Sequence, residues 1–396
     1  MVIYTVRAGD TLNNIASRYG ISADDIAYDN QIPFPYALAV GTSLLLTQAS
    51  YTLTSEDILI SNSGRSVYSG GYAYPFISRW VLEQTLPYLT DLFIFSYGFT
   101  VDGTLVPPAL DDTFMLTLAK NYGVAPVLTL TPFGPDGQFS NYLITSIVNN
   151  ETAKAQLIEE LVNQITERGF EGVDIDFEYI LAEDRIPFAT FVSEVRTAIN
   201  ALGYPVSVAL APKTSDAQTG LLYEGKDYAL LGEAADYVLL MTYEWGYTFG
   251  PPMAVAPLNK VRQVVEYALT KIPAEKINLG IPNYGYDWTL PFVRGTSKAQ
   301  NIGNVEAVQI AIAHGAEIKF DPVAQSPFFT YVQDGLTHEV WFEDVRSIHG
   351  KFGLVREYGL RGMSYWQIMR LFRANWLLQE GEFFLIVPDN SAGRND

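Results

Sequence analysis

Short apolar blocks alternate with longer amphipathic segments along most of this chain. The apolar blocks predict eight buried strands, at 66–74, 91–99, 125–133, 169–179, 205–212, 236–246, 277–285 and 361–366. The segments between them carry apolar residues at helical spacing, most clearly at 151–169 and 186–203, which both end at a glycine. Eight buried strands that alternate with helices predict an α/β protein, a (β/α)8 TIM barrel.

The barrel is expected to carry an insertion. Residues 57–396 amount to about 340 positions, whereas a barrel of this kind typically needs about 250. The extra length falls at about 286–345, between the seventh and eighth strands, where "NVEAVQIAIAHG" predicts a helix and "PFFTYVQDGLTHEVWF" predicts a hairpin. A small α+β insertion is therefore predicted there.

The first 48 residues form a pattern of their own, strand, helix, helix, strand. "IYTV" alternates like a strand, and the segment after it has helical spacing up to Gly20, a residue that commonly ends helices. Ser22 is placed to cap a second helix, and "GTSLLLT" predicts the last strand. Residues 49–56 are interpreted as a short linker, which would leave the first domain as a tethered unit.

Three acids stand two residues apart in the fourth predicted strand, in "EGVDIDFEYI". Side chains two apart share one face of a strand, so Asp174, Asp176 and Glu178 should point the same way, each roughly 7 Å from the next along the strand. Adjacent like charges are costly unless a proton or hydrogen bonds are shared among them. Because barrel active sites lie at the carboxyl ends of the strands, Glu178 should be nearest that face.

The composition and charge of the chain exclude several classes of function. The formal net charge of −19 argues against a nucleic-acid partner, which requires a basic surface. The chain has no Cys, so disulfides and cysteine zinc sites are excluded, and its three His show no metal-ligand spacing. Neither a membrane-spanning run nor a signal peptide is visible. Aromatic residues reach 13%, which suits surfaces on which sugars stack.

The N-terminal unit resembles a lysin motif (LysM) domain, through "YTVRAGDTLNNIASRYGIS", Asn30 and "LAVGTSLLL". LysM domains bind N-acetylglucosamine polymers, either chitin or peptidoglycan. The resemblance implies a ligand groove between the loop at Gly9, Asp10 and Thr11 and the loop near Asn30 and Ile32.

The acid-bearing segment "EGVDIDFE" is similar to the DGxDxDxE signature of family 18 glycoside hydrolases. By that resemblance Glu178 is the general acid and base, Asp176 hydrogen-bonds the acetamido group of the substrate, and Asp174 shares a proton within the chain of acids. The family uses the acetamido oxygen of the sugar as its nucleophile, and no metal or organic cofactor is required.

Other positions agree with this family. "MTYEWG" resembles its Met-x-Tyr-Asp element, which implies that Tyr243 holds the acetamido oxygen and Met241 lines the sugar pocket. Glu244 stands where chitinases usually have Asp, and Trp366 matches the Trp under the −1 sugar. Weaker candidates for substrate contacts, at the ends of the second and seventh strands, are Tyr97, Asn283 and Tyr284.

The likeness to chitinases is incomplete, because "LTLTPF" replaces their SxGG element and the insertion is short. With its LysM domain the chain looks most like spore-cortex-lytic N-acetylglucosaminidases, which implies a peptidoglycan hydrolase associated with the spore or cell wall. The alternatives are a LysM-bearing chitinase, a non-catalytic lectin on the same fold and a structural spore or wall protein. The sequence does not distinguish endo from exo action, nor does it give the oligomeric state.

Overall fold

The N-terminal domain has the predicted element order. The computed structural model describes residues 1–48, 57–134 and 137–387, so the proposed linker at 49–56 lies outside the described residues. The domain contains β1 (Val2–Thr5), α1 (Leu12–Tyr19), α2 (Ala23–Asp29) and β2 (Ser43–Leu46). The two strands pair antiparallel, and the helices begin at side-chain caps from Thr11 and Ser22. Gly20 ends α1 with φ of 66°, a conformation that glycine adopts without strain.

The barrel follows, built from alternating strands and helices. Up to the seventh barrel strand its elements are β3 (Ile58–Leu59), β4 (Ser66–Ala73), α3 (Arg79–Thr85), β5 (Asp91–Phe99), β6 (Leu105–Val106), α4 (Thr113–Asn121), β7 (Ala125–Leu130), α5 (Asn141–Val148), α6 (Glu151–Arg168), β8 (Val173–Ile175), α7 (Arg185–Asn200), β9 (Val206–Leu210), α8 (Tyr228–Ala234), β10 (Tyr237–Leu240), α9 (Leu258–Leu269) and β11 (Ile277–Pro282). Three short 3-10 helices lie at Leu86–Tyr88, Ala182–Asp184 and Ala274–Lys276.

The insertion and the last barrel unit complete the chain. The insertion contains β12 (Gly285–Thr289), β13 (Gln300–Ile302), α10 (Asn304–Ala313), β14 (Lys319–Asp321), β15 (Ser326–Gln333) and β16 (Leu336–Trp341). After it come α11 (Val345–Tyr358), β17 (Gly362–Trp366), α12 (Arg373–Glu382) and β18 (Phe384–Leu385). The insertion strands form one antiparallel sheet beside α10, so the predicted α+β lobe is present.

Eight parallel strands close into the predicted barrel. The order around it is β4, β5, β7, β8, β9, β10, β11 and β17, and β17 pairs with β4 to close the circle. Every residue of β7, β9 and β10 is buried, because helices cover the outside while side chains fill the interior. Among the helices of the described ranges, none is long and apolar enough to cross a bilayer.

The first domain is docked on the barrel, which corrects the expectation of a tethered unit. Strand β3 pairs with the free edge of β1, and Ile3 and Leu45 belong to the same apolar core as the barrel residues. On the insertion side, the Ile318 amide donates to the Val40 carbonyl at 2.9 Å, and Arg346 Nη2 donates to the Gly41 carbonyl at 3.0 Å. Backbone pairing together with shared core packing fixes the orientation of the domain.

Candidate active site

A large cleft opens at the carboxyl ends of the barrel strands, with about 1340 Å³ of free space. Six of the residues predicted from the sequence as site residues line this cleft or its floor: Asp176, Glu178, Met241, Tyr243, Glu244 and Trp366. They come from three different barrel positions, after β8, after β10 and at the end of β17. Only closure of the barrel brings them together, as in other barrels whose sites form from several strand ends.

The acids alternate with apolar residues as the sequence predicts. The hydrogen-bonded ladder of β8 covers only Val173–Ile175, shorter than the predicted strand. Phe177 is nonetheless fully buried on the helix side, where it stacks on Phe99, Phe188 and Phe191. This packing anchors the chain just beyond the ladder, and the following acid, Glu178, lines the cleft.

Asp174 is held inside the barrel and does not face the cleft. It is fully buried, and its carboxylate accepts hydrogen bonds from the Tyr72 hydroxyl at 2.9 Å and the Ser207 hydroxyl at 2.6 Å. These two partners lie on β4 and β9, and no sequence pattern singled them out. They fix the orientation of Asp174 beneath Asp176.

Burial makes the acids easier to protonate than free carboxylic acids. It raises the pKa of Glu178 to about 7, and the nearby charges of Asp176 and Glu244 act in the same direction. Burial also raises the pKa of Asp174 to about 7, against its two hydrogen bonds, and that of Asp176 to about 6. Near neutral pH the cluster therefore retains protons, as expected for carboxyls that must share charge.

A lysine that sequence reasoning missed faces this cluster. Lys226 is buried, and its ammonium donates to the Ala209 carbonyl at 2.6 Å, directly behind the cleft wall. Burial lowers the pKa of Lys226, and its positive charge lowers the pKa of Asp174, Asp176 and Glu178. A single Lys in the loop between β9 and α8 carries no periodicity or motif, so no sequence signal distinguished it.

One Asp176 oxygen is buried without a hydrogen-bond partner in the part of the chain that the structure describes. Among the described residues, no group donates a hydrogen bond to Asp176 Oδ1, although this atom is buried. An unsatisfied buried carboxylate oxygen is costly, so such an atom at an open cleft is placed to accept from a bound molecule.

The loop after β10 presents three of the predicted residues. The Tyr243 amide donates to the Met241 carbonyl at 2.9 Å in a tight turn, and Glu244 follows with a left-handed φ of 67°. The Glu244 carboxylate accepts from the hydroxyls of Tyr284 and Tyr286, which hold it in this strained conformation. The hydrogen bonds lower the pKa of Glu244, but burial outweighs them and raises it.

Aromatic rings form the floor around Trp366. Its indole lies 4.9 Å from the Phe95 ring, 5.7 Å from Tyr72 and 6.1 Å from Tyr74. Phe95 and Tyr74 also line the cleft, together with Phe133 and Phe139. These additional rings come from β4, β5 and the segment after β7, where the sequence showed apolar blocks but not which side chains turn inward.

Three weaker predictions for substrate contacts are corrected. Tyr97 is fully buried away from the cleft, with its hydroxyl bonded to Asp112. The Asn283 amide donates to the carbonyls of Gln367 and Arg370, so it ties down the loop after β17. Tyr284 supports Glu244 and is not on the cleft surface.

The residues predicted to bind glycan in the N-terminal domain differ in exposure: some are at the surface, and others are buried or held in internal hydrogen bonds. Gly9 and Thr11 are exposed at the turn before α1, and Asp10 secures this turn by accepting from the Tyr4 hydroxyl at 2.6 Å. The assignment of Asn30 is corrected, because its amide group is fully used in hydrogen bonds to Ile26 and Leu45 that join α2 to β2. Ile32 is buried at the boundary with the barrel.

Family models match both parts of the chain. The model described as glycosyl hydrolases family 18 matches residues 132–370, and the LysM domain model matches residues 4–47.

Full-length relatives are also found. A cortical fragment-lytic enzyme of Bacillus subtilis is 38% identical, with 98% of this chain and 99% of the relative covered. The crystal structure of the spore cortex-lytic enzyme SleL of Bacillus megaterium superposes with a TM-score of 0.90 at 34% identity, over 98% of this chain and 99% of that one. A chitinase from Chromobacterium violaceum reaches a TM-score of 0.73 at 24% identity, over 80% and 99% of the two chains, a likeness of fold alone.

Proposed function

The chain belongs to family 18 of the glycosyl hydrolases, and from this premise we propose that it cleaves β-1,4 bonds on the reducing side of N-acetylglucosamine in spore cortex peptidoglycan. It is a glycoside hydrolase, and its LysM and family 18 domains indicate binding to N-acetylglucosamine polymers. Relatives named for cortex lysis align over nearly the whole chain, which favours cortex over chitin and suggests association with the spore or its wall.

The observation that carries the proposal is the buried acid cluster at the cleft. Glu178 has a pKa raised by burial to about 7, so a large fraction of the molecules carry its proton at neutral pH and can protonate a leaving oxygen. A free glutamic acid, with a pKa near 4.3, would be almost entirely ionised at this pH. Glu178 is therefore the general acid of the proposed reaction.

The nucleophile in this proposal is the acetamido oxygen of the −1 sugar, as in substrate-assisted members of the family. Asp176 Oδ1, which is buried and has no hydrogen-bond partner among the described residues, accepts the acetamido N–H and stabilises its developing positive charge. In this proposal Tyr243, which lines the same cleft, holds the acetamido carbonyl, and Trp366 supports the sugar ring from below.

The proposed reaction has two steps. The acetamido oxygen attacks C1 while the C1–O bond to the leaving sugar breaks, and Glu178 gives its proton to the departing oxygen. Glu178, now a carboxylate, takes a proton from water as that water attacks C1 of the oxazolinium ion. The bond between C1 and the acetamido oxygen breaks at the same time, which restores the neutral acetamido group. The new hydroxyl forms on the face that the leaving group occupied, so configuration is retained and Glu178 is again protonated.

The test is a comparison of three polymers. The protein is incubated with cortex peptidoglycan, vegetative-wall peptidoglycan and chitin, and products are identified by mass, with Glu178→Gln as the inactive control. We expect fragments with muramic or muramic-lactam reducing ends to be released from cortex faster than chitobiose from chitin. A clearly higher kcat/KM on chitin oligomers would replace the proposal with the LysM-bearing chitinase, and no cleavage of any polymer would favour the lectin.

A further inference from the structure

A second depression, here called the interdomain groove, lies between the N-terminal domain and the barrel. Its walls include Asp24, Tyr28 and Tyr36 from the first domain and Trp80, Leu371 and Arg373 from the barrel. Trp80 is in the first turn of α3, which follows β4, and the other two barrel residues follow β17. Since all three come after carboxyl ends of barrel strands, the groove opens on the same barrel face as the catalytic cleft.

The walls of the groove are held at a fixed separation. The Arg373 amide donates to Gln31 Oε1 at 2.7 Å, which joins the loop after β17 to the loop after α2. The Arg373 guanidinium lies 4.0 Å from the centre of the Tyr28 ring, and its Nε lies 3.6 Å from an Asp29 oxygen. The groove is therefore preformed, and a ligand that enters it need not first bring the two domains together.

Two large rings are exposed in the interdomain groove. Trp80 is 59% exposed and Tyr28 is 61% exposed, one on each wall. Single exposed aromatics are common on proteins, but rings from two domains that line one groove form an apolar surface with carboxylate and hydroxyl groups beside it. This combination suits a sugar ring, which offers C–H groups on its faces and hydroxyls around its edge.

Aromatic rings also connect the catalytic cleft with the groove. The Trp366 ring lies 6.1 Å from Tyr74, and Tyr74 stacks on Phe76 at 5.1 Å. Phe76 is 65% exposed and lies in the loop that leads into α3, whose second residue is Trp80. Ring contacts thus lead from the floor of the cleft to Phe76, and Trp80 on the wall of the groove follows four residues later along the same segment.

We propose that the interdomain groove is a second glycan-binding site, which takes the part of the same N-acetylglucosamine-containing strand that extends beyond the catalytic cleft. This inference rests on the proposed function, because the occupant is the polymer that the cleft cuts. The aromatic residues that lead from Trp366 through Tyr74 and Phe76 toward Trp80, on the barrel face where the cleft opens, favour a strand of the substrate over a separate protein partner. The N-terminal domain would then act as one wall of an extended substrate path.

The test uses Trp80→Ala, Tyr28→Ala and the double variant, all at exposed positions. Retention on insoluble cortex peptidoglycan is measured in a Glu178→Gln background, so the polymer stays intact during binding. The matched control is Tyr122→Ala, since Tyr122 is 44% exposed at the end of α4, on the opposite face of the barrel. A second assay compares hydrolysis of long soluble strands with that of di- to tetrasaccharide fragments in the otherwise unchanged enzyme.

We expect the double variant to bind the polymer about tenfold more weakly and to cut long strands more slowly, while short fragments are cut at the parent rate. Tyr122→Ala should match the parent in both assays. Equal retention of the double variant and the control would overturn the inference, as would an equal loss on short and long substrates. A change in self-association without a change in retention would instead identify the groove as a contact between copies of the chain. Because retention is measured without catalysis, it tests glycan binding in the groove separately from the proposed hydrolysis in the cleft.

Discussion

Replacement of Lys226 by Met is expected to move the pH profile of hydrolysis toward higher pH. The Lys226 ammonium is the buried cation that lowers the pKa of Asp174, Asp176 and Glu178. Methionine keeps an unbranched side chain of similar length and removes the charge. Without that charge the ionised carboxylates lose stabilisation, so their pKa values rise.

The sign follows from the role of Glu178. As a general acid it must be protonated, so kcat/KM should fall as pH rises through its pKa, which burial sets at about 7. At pH 7 about half of the enzyme would then carry the proton, against roughly one molecule in 500 for a free glutamic acid with its pKa near 4.3. Loss of the Lys226 charge raises this pKa further. The alkaline limb of the pH profile, where kcat/KM falls, therefore moves to higher pH.

The size of the shift can be bounded by electrostatics. A unit charge on the order of 10 Å away, at an effective dielectric constant of about 20, contributes roughly 1.7 kcal/mol, or about one pH unit. The assay is kcat/KM on a short soluble fragment between pH 5 and 9. The midpoint of the limb does not depend on how much of the variant is folded, so a partial loss of stability would not mimic the effect.

Two further variants test the electrostatic reasoning. Lys213→Met removes a buried lysine of the same loop, whose ammonium donates to the Lys226 carbonyl at 2.9 Å, and whose own pKa responds to Asp216 and Asp227 but not to the acid cluster. Because this variant keeps the Lys226 charge, it should leave the alkaline limb at the parent pH. Glu244→Gln removes a charge that raises the pKa of Glu178, so it should move the limb to lower pH. The electrostatic reasoning is wrong if Lys226→Met moves the alkaline limb to lower pH, or if it moves the limb no further than Lys213→Met does.

The remaining predictions concern catalysis, stereochemistry and domain docking. Glu178→Gln should lower kcat by at least about 10²-fold while retention on polymer persists, and near-normal turnover would remove Glu178 from its assigned role. The first-formed product should be the β-anomer by NMR, with strong inhibition by a thiazoline analogue, whereas an early α-anomer or a glycosyl adduct on the protein would contradict attack by the acetamido group. Gly41→Ala should lower the free energy of unfolding more than Gly9→Ala, by on the order of 1–3 kcal/mol in a denaturant titration. Both glycines have φ of 86°, but only a Cβ on Gly41 would meet the Ile318 carbonyl, so equal effects would mean that this contact between the domains adds no stability.

Local sequence patterns were sufficient to predict the architecture. Every predicted barrel strand is present, because buried strands and amphipathic helices leave periodic signals within 5 to 18 residues that do not depend on distant partners. The alternation of Asp174 and Asp176 with Val173, Ile175 and Phe177 was visible for the same reason. The family resemblance then supplied roles for the acids, for Tyr243 and for Trp366.

The tertiary structure decided what surrounds those residues. Tyr72 and Ser207 meet Asp174 from positions 102 and 33 residues away, and Lys226 reaches the cluster from a loop with no motif. Tyr97 and Asn283 were misassigned because a strand end predicts nearness to the cleft but not the direction or partners of a side chain. The docking of the N-terminal domain and the interdomain groove depend on β1, β3 and the insertion meeting in space. Short-range periodicity carries no information about such contacts, since they exist only once the barrel has closed and the insertion has folded against it.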